Sequence, residues 1–470
     1  QSSKEREVDY ALGMLTEVKN VNLIEPLKPL LKHPSANVRR KTIHVLVAQQ
    51  DASLVPDVKE LLDDDDVEVC RNAMYFLFRN ATGDQRNMLN VFLSHPEPRY
   101  RYAALSSIAM YGTPEERSLI DERVVESLIN LKGSDGSLAR QQIAGALGHL
   151  ANPNFNRYIK RLLNDTDPEV VSQAIWSVGR LRERDFVPWL LHALADKRHR
   201  QDVREALASF GTSVLGTLLD YMADERVDYS VRRNIPRVLS LIPQQDTVDA
   251  LTVSINRVDQ YLKYYVVKAL NRLRTNYPDL KFDESRVDEA LMVETKGYYE
   301  IVKLISLQKA DSSDDASRLL AKALSEKQDQ NLERIFRILG LSYPPNDIYN
   351  AYQGVVSNIQ SQRASAIEFL DNLLKSNIKR YLLPILDEAS IERIVRKGQE
   401  LFDIEMSTFD EALLYLINGR DAWLKACAIY ATPETMSSEV RQAVENAAND
   451  LEQVINQTAE LVLRRKNKVN

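Results

Sequence analysis

At 470 residues the chain is too long for a single compact core, and only 15 Gly and 17 Pro beside 44% hydrophobic and 27% charged residues argue against an all-β or collagen-like protein. The formal net charge of −6 argues against a broad non-specific nucleic-acid surface, while leaving room for a local basic groove. No stretch approaches the roughly 18 apolar residues of a membrane helix, and no signal peptide is present. The chain opens on Gln1 rather than Met, so the expectation is a segment of a longer polypeptide.

Residues 1–20 read as a capping helix with Val8, Leu12 and Leu15 on one side. From Val21 to Arg274 a turn-plus-helix unit recurs. Its clearest copy is Asn164–Leu181, where Asp167 and Pro168 supply an N-cap and a first-turn proline, and Val170, Ala174, Ile175 and Val178 share one face. The first position of each copy falls at Val38, Val69, Tyr100, Leu138, Val170, Asp202, Val231 and Leu262, at intervals of 29 to 38 residues, the copy at Asp202 being aligned on Ala206. A period of that size means stacked helix pairs, because one pair cannot bury its apolar face alone. Four positions further on stands a mostly small column, with Thr42, Ala73, Ala104, Ala174 and Ala206, which lets helix axes approach closely. Pro236 interrupts the next column and should bend its helix. The polar stretch Gly112–Arg123 reads as an elongated first helix or a loop.

Between Thr275 and Asp347 the period is lost and longer helices are expected, with Ala310–Ser317 as a solvated loop or a helix start. Repeat-like units return around Ala366 and Ile367 and around Ala428 and Ile429. A single last helix is expected from Ser437 to Arg465, with Val440, Val444, Ala447, Leu451 and Ile455 at helical spacing. The expected division is residues 1–274 for N-terminal repeats, 275–350 for an irregular helical segment and 351–470 for C-terminal repeats and a cap.

Aligned copies turn single positions into stripes. Three positions before the anchor, most copies carry an acidic residue (Asp66, Glu97, Asp135, Asp167, Asp228, Asp259), which fits helix capping. Two positions after it stand Arg40, Arg71, Tyr102, Arg140, Ser172, Arg204, Arg233 and Tyr264. Arg without Lys in this column points to planar, multi-donor hydrogen bonding. Two readings stay open: a ladder of arginines bonded to acidic residues of neighbouring turns, or a groove for an acidic partner. The nearby Tyr75, Trp176, Arg237, Tyr265 and Lys268 would line the same inner helices.

Cys70 and Cys427 lie in distant repeats and read as buried fillers, which suits a reducing compartment. His33 and His95 both precede Pro in a turn, a repeated and therefore structural position. The run Asp63–Asp66 lacks the spacing and the glycine of a calcium loop and reads as a solvated turn. No phosphate loop, nucleophile elbow or zinc motif occurs, so no catalytic residue, cofactor or metal is assigned.

Units such as HPSANVRRKTIHVL and DTDPEVVSQAIWSVGRL resemble HEAT repeats of the short bacterial type over at least residues 21–274. The resemblance makes the expected fold an all-α, HEAT-like α-solenoid with an irregular helical middle section. Asn331–Val355, RASAIEFLDNLLKSNIKRYLLPILDE and INGRDAWLKACAIYA resemble the soluble HEAT region of bacterial membrane proteins related to the ATP/ADP translocases. This implies a cytoplasmic, non-catalytic scaffold or regulatory module, tethered through a transporter-like membrane domain N-terminal to it. Its partner would be a protein or a neighbouring domain of the same polypeptide, with no nucleic acid. The alternatives are a nucleic-acid-binding HEAT-like solenoid and a bilin-lyase-like enzyme, for which no nucleophile and base can be named.

Overall fold

The computed structural model describes residues 2–15, 23–49, 51–80, 85–308, 315–387, 390–433 and 435–466, and no strand occurs among them. The chain divides into two compact units, Gln1–Gly211 and Thr212–Asn470.

The N-terminal unit begins with the helix Ser2–Leu15, whose Leu12 is buried. Short first helices, such as Val55–Glu60 and Asn156–Leu162, alternate with longer second helices: Ala36–Val47, Val67–Asn80, Pro98–Tyr111, Gly133–Leu150, Pro168–Leu181 and Arg200–Ser209. Core positions follow the sequence period, with Val38, Val69, Ala104, Val170 and Ala174 fully buried. In the fourth copy the buried residue is Ala139, one position after the expected Leu138. The cause lies at the helix start: it begins at Gly133, so Asp135 sits in the first turn and does not cap. Asp66 and Asp167 do accept backbone N–H groups at their helix starts. Gly112–Arg123 folds into a short helix, Pro114–Arg117, closed by a reciprocal capping box between Thr113 and Glu116.

Small residues do bring the second helices together. A Cβ on Gly148 would lie 2.7 Å from the Cα of Ser177, and one on Gly179 would lie 2.9 Å from the Cα of Ala206. Serine hydroxyls bolt the same joints: Ser177 donates to the carbonyl of Ala144 at 2.6 Å, and Ser209 to that of Gly179 at 2.5 Å.

In the C-terminal unit Pro236 does more than bend its helix. The chain breaks into Tyr229–Arg232 and Ile235–Leu239, because proline lacks the N–H that would bond back one turn and its ring crowds that carbonyl. Regular pairing resumes with Gln245–Ser254 and Gln260–Asn276. The long helices expected next are Glu284–Leu307 and Asp315–Ser342, of 24 and 28 residues; of the expected loop or helix start Ala310–Ser317, residues 310–314 lie outside the described residues and 315–317 open the second helix. The late repeat helices appear as Gln360–Leu373 and Ala422–Tyr430, with Ala366, Ala428 and Ile429 buried. The last helix is two, Ser438–Ala447 and Gln453–Lys466. Asp450 makes the break: its carboxylate accepts from the N–H of Glu452 at 3.0 Å and from Lys425 at 2.7 Å, which turns the chain and leaves Leu451 fully exposed.

Candidate partner-binding face

The arginine stripe separates into distinct fates. In the N-terminal unit, Arg140 is a ladder residue, donating Nε to Asp165 at 2.6 Å and Nη1 to the carbonyl of Leu131 at 3.2 Å. Its structural counterpart is Arg39, which grips Asp64 with Nε and Nη2, both at 2.7 Å. The shift of one position in the fourth copy placed Arg140 beside Arg40 in the sequence alignment, although it belongs with Arg39. In the other unit Arg232 has the same role, reaching Asp259 at 3.3 Å and the carbonyl of Met222 at 3.0 Å. These side chains are mostly buried, and each ties a second helix to a neighbouring turn.

The remaining stripe residues of the N-terminal unit behave differently. Arg40 donates to Asn37 within its own helix at 2.7 Å, and Arg71 chelates Glu68 one turn back, so neither is consumed between repeats. Tyr102 is 4% exposed, its ring filling the core and out of reach of a partner. Arg204 lies on Arg200–Ser209 with its Nε buried.

Aromatic shelves flank these arginines. Tyr75 stacks on Tyr111 with ring centroids 4.4 Å apart, and Arg79 lies over Tyr75 at 5.3 Å. Trp176, 45% exposed, packs against His149 at 5.2 Å and carries Arg180 at 5.8 Å. Partial burial, reinforced by the positive charges of Arg180, Arg71 and Arg117, pushes the His149 pKa down to about 4. Arg71 and Arg40 likewise act on Tyr111, whose pKa is raised chiefly by burial. Arg71, Arg117 and Arg180 thus act on His149, and Arg40 with Arg71 on Tyr111, from the second helices Ala36–Val47, Val67–Asn80 and Pro168–Leu181 and the short helix Pro114–Arg117.

In the C-terminal unit, Arg233 occupies the break made by Pro236, and Arg237 is exposed on the far side of it. Tyr264 meets Tyr265 edge to face at 5.5 Å and lies beneath Lys268 at 5.6 Å and Arg337 at 5.2 Å.

Stripe reasoning missed Tyr111, Arg117, His149 and Arg180. A usable signal was present: an aromatic residue followed by a cation four positions later, in Tyr75–Arg79, Trp176–Arg180 and Tyr264–Lys268, the spacing at which helical side chains meet. His33 and His95 are turn residues as expected, each accepting through Nδ1 at 3.1 Å from the N–H two residues on. The run Asp63–Asp66 is a turn with Asp63 and Asp65 exposed, as expected, and it is also tied in place: Asp63 accepts from Tyr100, Asp64 from Arg39 and Asp66 caps a helix. Both cysteines are buried, and burial pushes each thiol up to about 11, away from reactivity. Among the described residues no cluster of His, Cys, Asp or Glu could hold a metal, and no helix is long and apolar enough to cross a membrane.

No curated protein matches the sequence. Solved structures similar to the chain include YibA of E. coli, at 16% identity over 56% of this chain and 95% of that one with a TM-score of 0.34. Importin beta follows at 11% identity, 97% and 76% coverage and a TM-score of 0.32. Human deoxyhypusine hydroxylase matches at 15% identity, 57% and 90% coverage and a TM-score of 0.24. Likenesses this remote carry no functional argument. The family model for HEAT repeats matches residues 6–77 and 125–211. The chain is an all-α, HEAT-like solenoid protein with HEAT repeats in those two stretches.

Proposed function

We propose that this protein is a non-catalytic interaction scaffold whose second helices bind an acidic segment of a partner protein or of a neighbouring domain. The observation that carries this reading is the field centred on His149, in which Arg180, Arg71 and Arg117 all act in the same direction and the tyrosine and tryptophan shelves lie alongside. Guanidinium groups beside aromatic faces are the side chains that most often anchor interfaces. Arg40, Arg71 and Arg204 are the proposed anchors of the N-terminal unit, and Arg233 and Arg237 are separate candidate anchors of the C-terminal unit; Arg140 contributes by holding repeats in register.

The test is fluorescence anisotropy with a labelled poly-glutamate peptide, comparing the parent protein with a variant in which Arg40, Arg71 and Arg117 are all Gln. Binding should weaken at least about tenfold in the variant and fall with added salt, as expected when charge contacts are removed. Equal binding by both proteins at unchanged melting temperature would overturn the reading.

The finer proposal is that the scaffold serves a nucleotide-transporter-like membrane domain N-terminal to it. Its support is the resemblance of Asn331–Val355 and the two later segments to the soluble regions of such proteins. Sequencing upstream of Gln1 decides it: about ten or more hydrophobic spans support the tether, and a nearby start codon without them ends it.

A further inference from the structure

In the N-terminal unit, the helices Gly133–Leu150, Pro168–Leu181 and Arg200–Ser209 border an open groove of ≈ 760 Å³. Its floor is made of small residues, because Gly148, Gly179 and Ala206 hold the three helices close. Its walls differ in charge. Arg180 and Arg182 are exposed and meet no carboxylate among the described residues, while Asp202 and Glu205 stand on the next helix. Asp202 already accepts from Ser172 at 2.7 Å and lies 4.0 Å from Nδ1 of His199, and Glu205 accepts from Gln201 at 2.6 Å. A carboxylate offers about four lone-pair sites, so both retain capacity. Trp176 presents a half-exposed indole on the same helix as Arg180, packed against His149 of the preceding helix.

The backbone shapes the rim. Three non-glycine residues among those described have positive φ, and two of them, Ala151 at 50° and Arg182 at 56°, line this groove. A left-handed residue is a common way for a helix to end, so these two positions are C-caps that set the rim. Both residues end second helices, so two consecutive helix ends are turned in the same way at the rim.

We propose that this groove docks a partner peptide in which an acidic and a basic side chain stand about three residues apart, with an apolar residue beside the acid. The inference rests on reading the second helices as a partner-binding face and adds what the partner must look like. Packed helix axes lie about 8–10 Å apart, and an extended chain advances about 3.3 Å per residue, which sets the separation at about three residues. The acid meets Arg180 and Arg182, the base meets Glu205 and Asp202, and the apolar side chain covers Trp176. A purely acidic segment gains the first contact and is repelled by the opposite wall, so polarity becomes the specificity element.

The experiment uses the full chain and three labelled 12-residue peptides, otherwise Gly and Ser, carrying Glu-Leu-Ala-Lys, Glu-Leu-Ala-Glu or Lys-Leu-Ala-Lys at the centre. The mixed peptide should bind about fivefold more tightly than either single-sign peptide, the scale of one exposed charge pair. Trp176→Ala should remove the preference along with most of the binding. Glu205→Lys should transfer the preference to the all-acidic peptide, and Arg180→Glu to the all-basic one. Far-UV circular dichroism and melting temperature serve as the folding control, since all three side chains are exposed. Equal binding of the three peptides, a preference unmoved by Glu205→Lys, or no binding of any of them overturns the proposal. Binding led by the all-acidic peptide, lost on replacing Arg40, Arg71 and Arg117 and kept in Trp176→Ala, overturns this inference and leaves the broader scaffold reading standing.

Discussion

His149 combines partial burial with a wholly positive neighbourhood, and both act on its proton in the same direction. Its pKa falls from 6.5 to about 4, with burial the larger cause and Arg180, Arg71 and Arg117 adding to it. Between those two values the unfolded chain binds a proton that the folded chain refuses. Stability from this residue is therefore complete above about pH 6.5 and declines as the pH falls toward 4. The whole shift corresponds to roughly 3 kcal/mol, and screening at a partly open ring reduces it to about 1–2 kcal/mol. His149→Gln should flatten the dependence: the drop in melting temperature from pH 7 to pH 5 should be smaller in the variant. An identical drop in both proteins would mean that the acid sensitivity arises elsewhere.

At the scale of helices, two kinds of joint carry the packing. The first is close approach through glycine. A methyl group on Gly148 would press on both the backbone and the hydroxyl of Ser177, so Gly148→Ala should lower stability by about 1–3 kcal/mol in a denaturant titration, whereas Gly216→Ala, with open space around it, should change stability by less than about 1 kcal/mol. The second is ionic. Within the C-terminal unit Glu294, 3% exposed, accepts from Lys263 at 3.1 Å, Asn331 at 3.0 Å and Arg334 at 2.5 Å, joining three helices. Glu294→Gln leaves two buried cations without their counter-charge and should cost about 3–5 kcal/mol, whereas converting Lys263 and Arg334 to Met together with Glu294→Leu should recover most of that loss. A single variant as stable as the parent would show that the cluster is solvated. The small-residue joints were legible only in part: Ala206 stands in the column that repetition also gives Ala73, Ala104 and Ala174, whereas Gly148, Ser177 and Gly179 fall outside it. The Glu294 cluster was not legible, since Lys263, Asn331 and Arg334 lie 31 to 40 residues from Glu294 with no repeat to align them. Arg140 shows the intermediate case: its residue type announced a ladder, and one extra turn at the helix start hid which column it belonged to.

For the molecule as a whole, legibility follows the period. Both matched HEAT stretches fall within Gln1–Gly211, where second helices begin at steady intervals, while Thr212–Asn470 contains the 24- and 28-residue helices, each long enough to serve more than one repeat partner. A turn of irregular sequence such as Asn449–Glu452 then ends a helix through one carboxylate, a local event that apolar spacing does not register. Stacked repeats draw their stability from nearest neighbours, so a unit with complete helix pairs carries most of what it needs to fold. The boundary supports a direct test. Arg200–Ser209 ends before Gly211 and Leu215–Ala223 begins after it, so a chain stopped at Gly211 cuts no α-helix. That fragment should retain a helical circular dichroism spectrum and melt in one cooperative transition, and it should bind the mixed-charge peptide as tightly as the full chain, because every wall of the Trp176 groove lies within it. A broad, non-cooperative melt would show that the repeats of Gln1–Gly211 depend on residues beyond Gly211. Cooperative folding without peptide binding would place the recognition surface elsewhere in the chain.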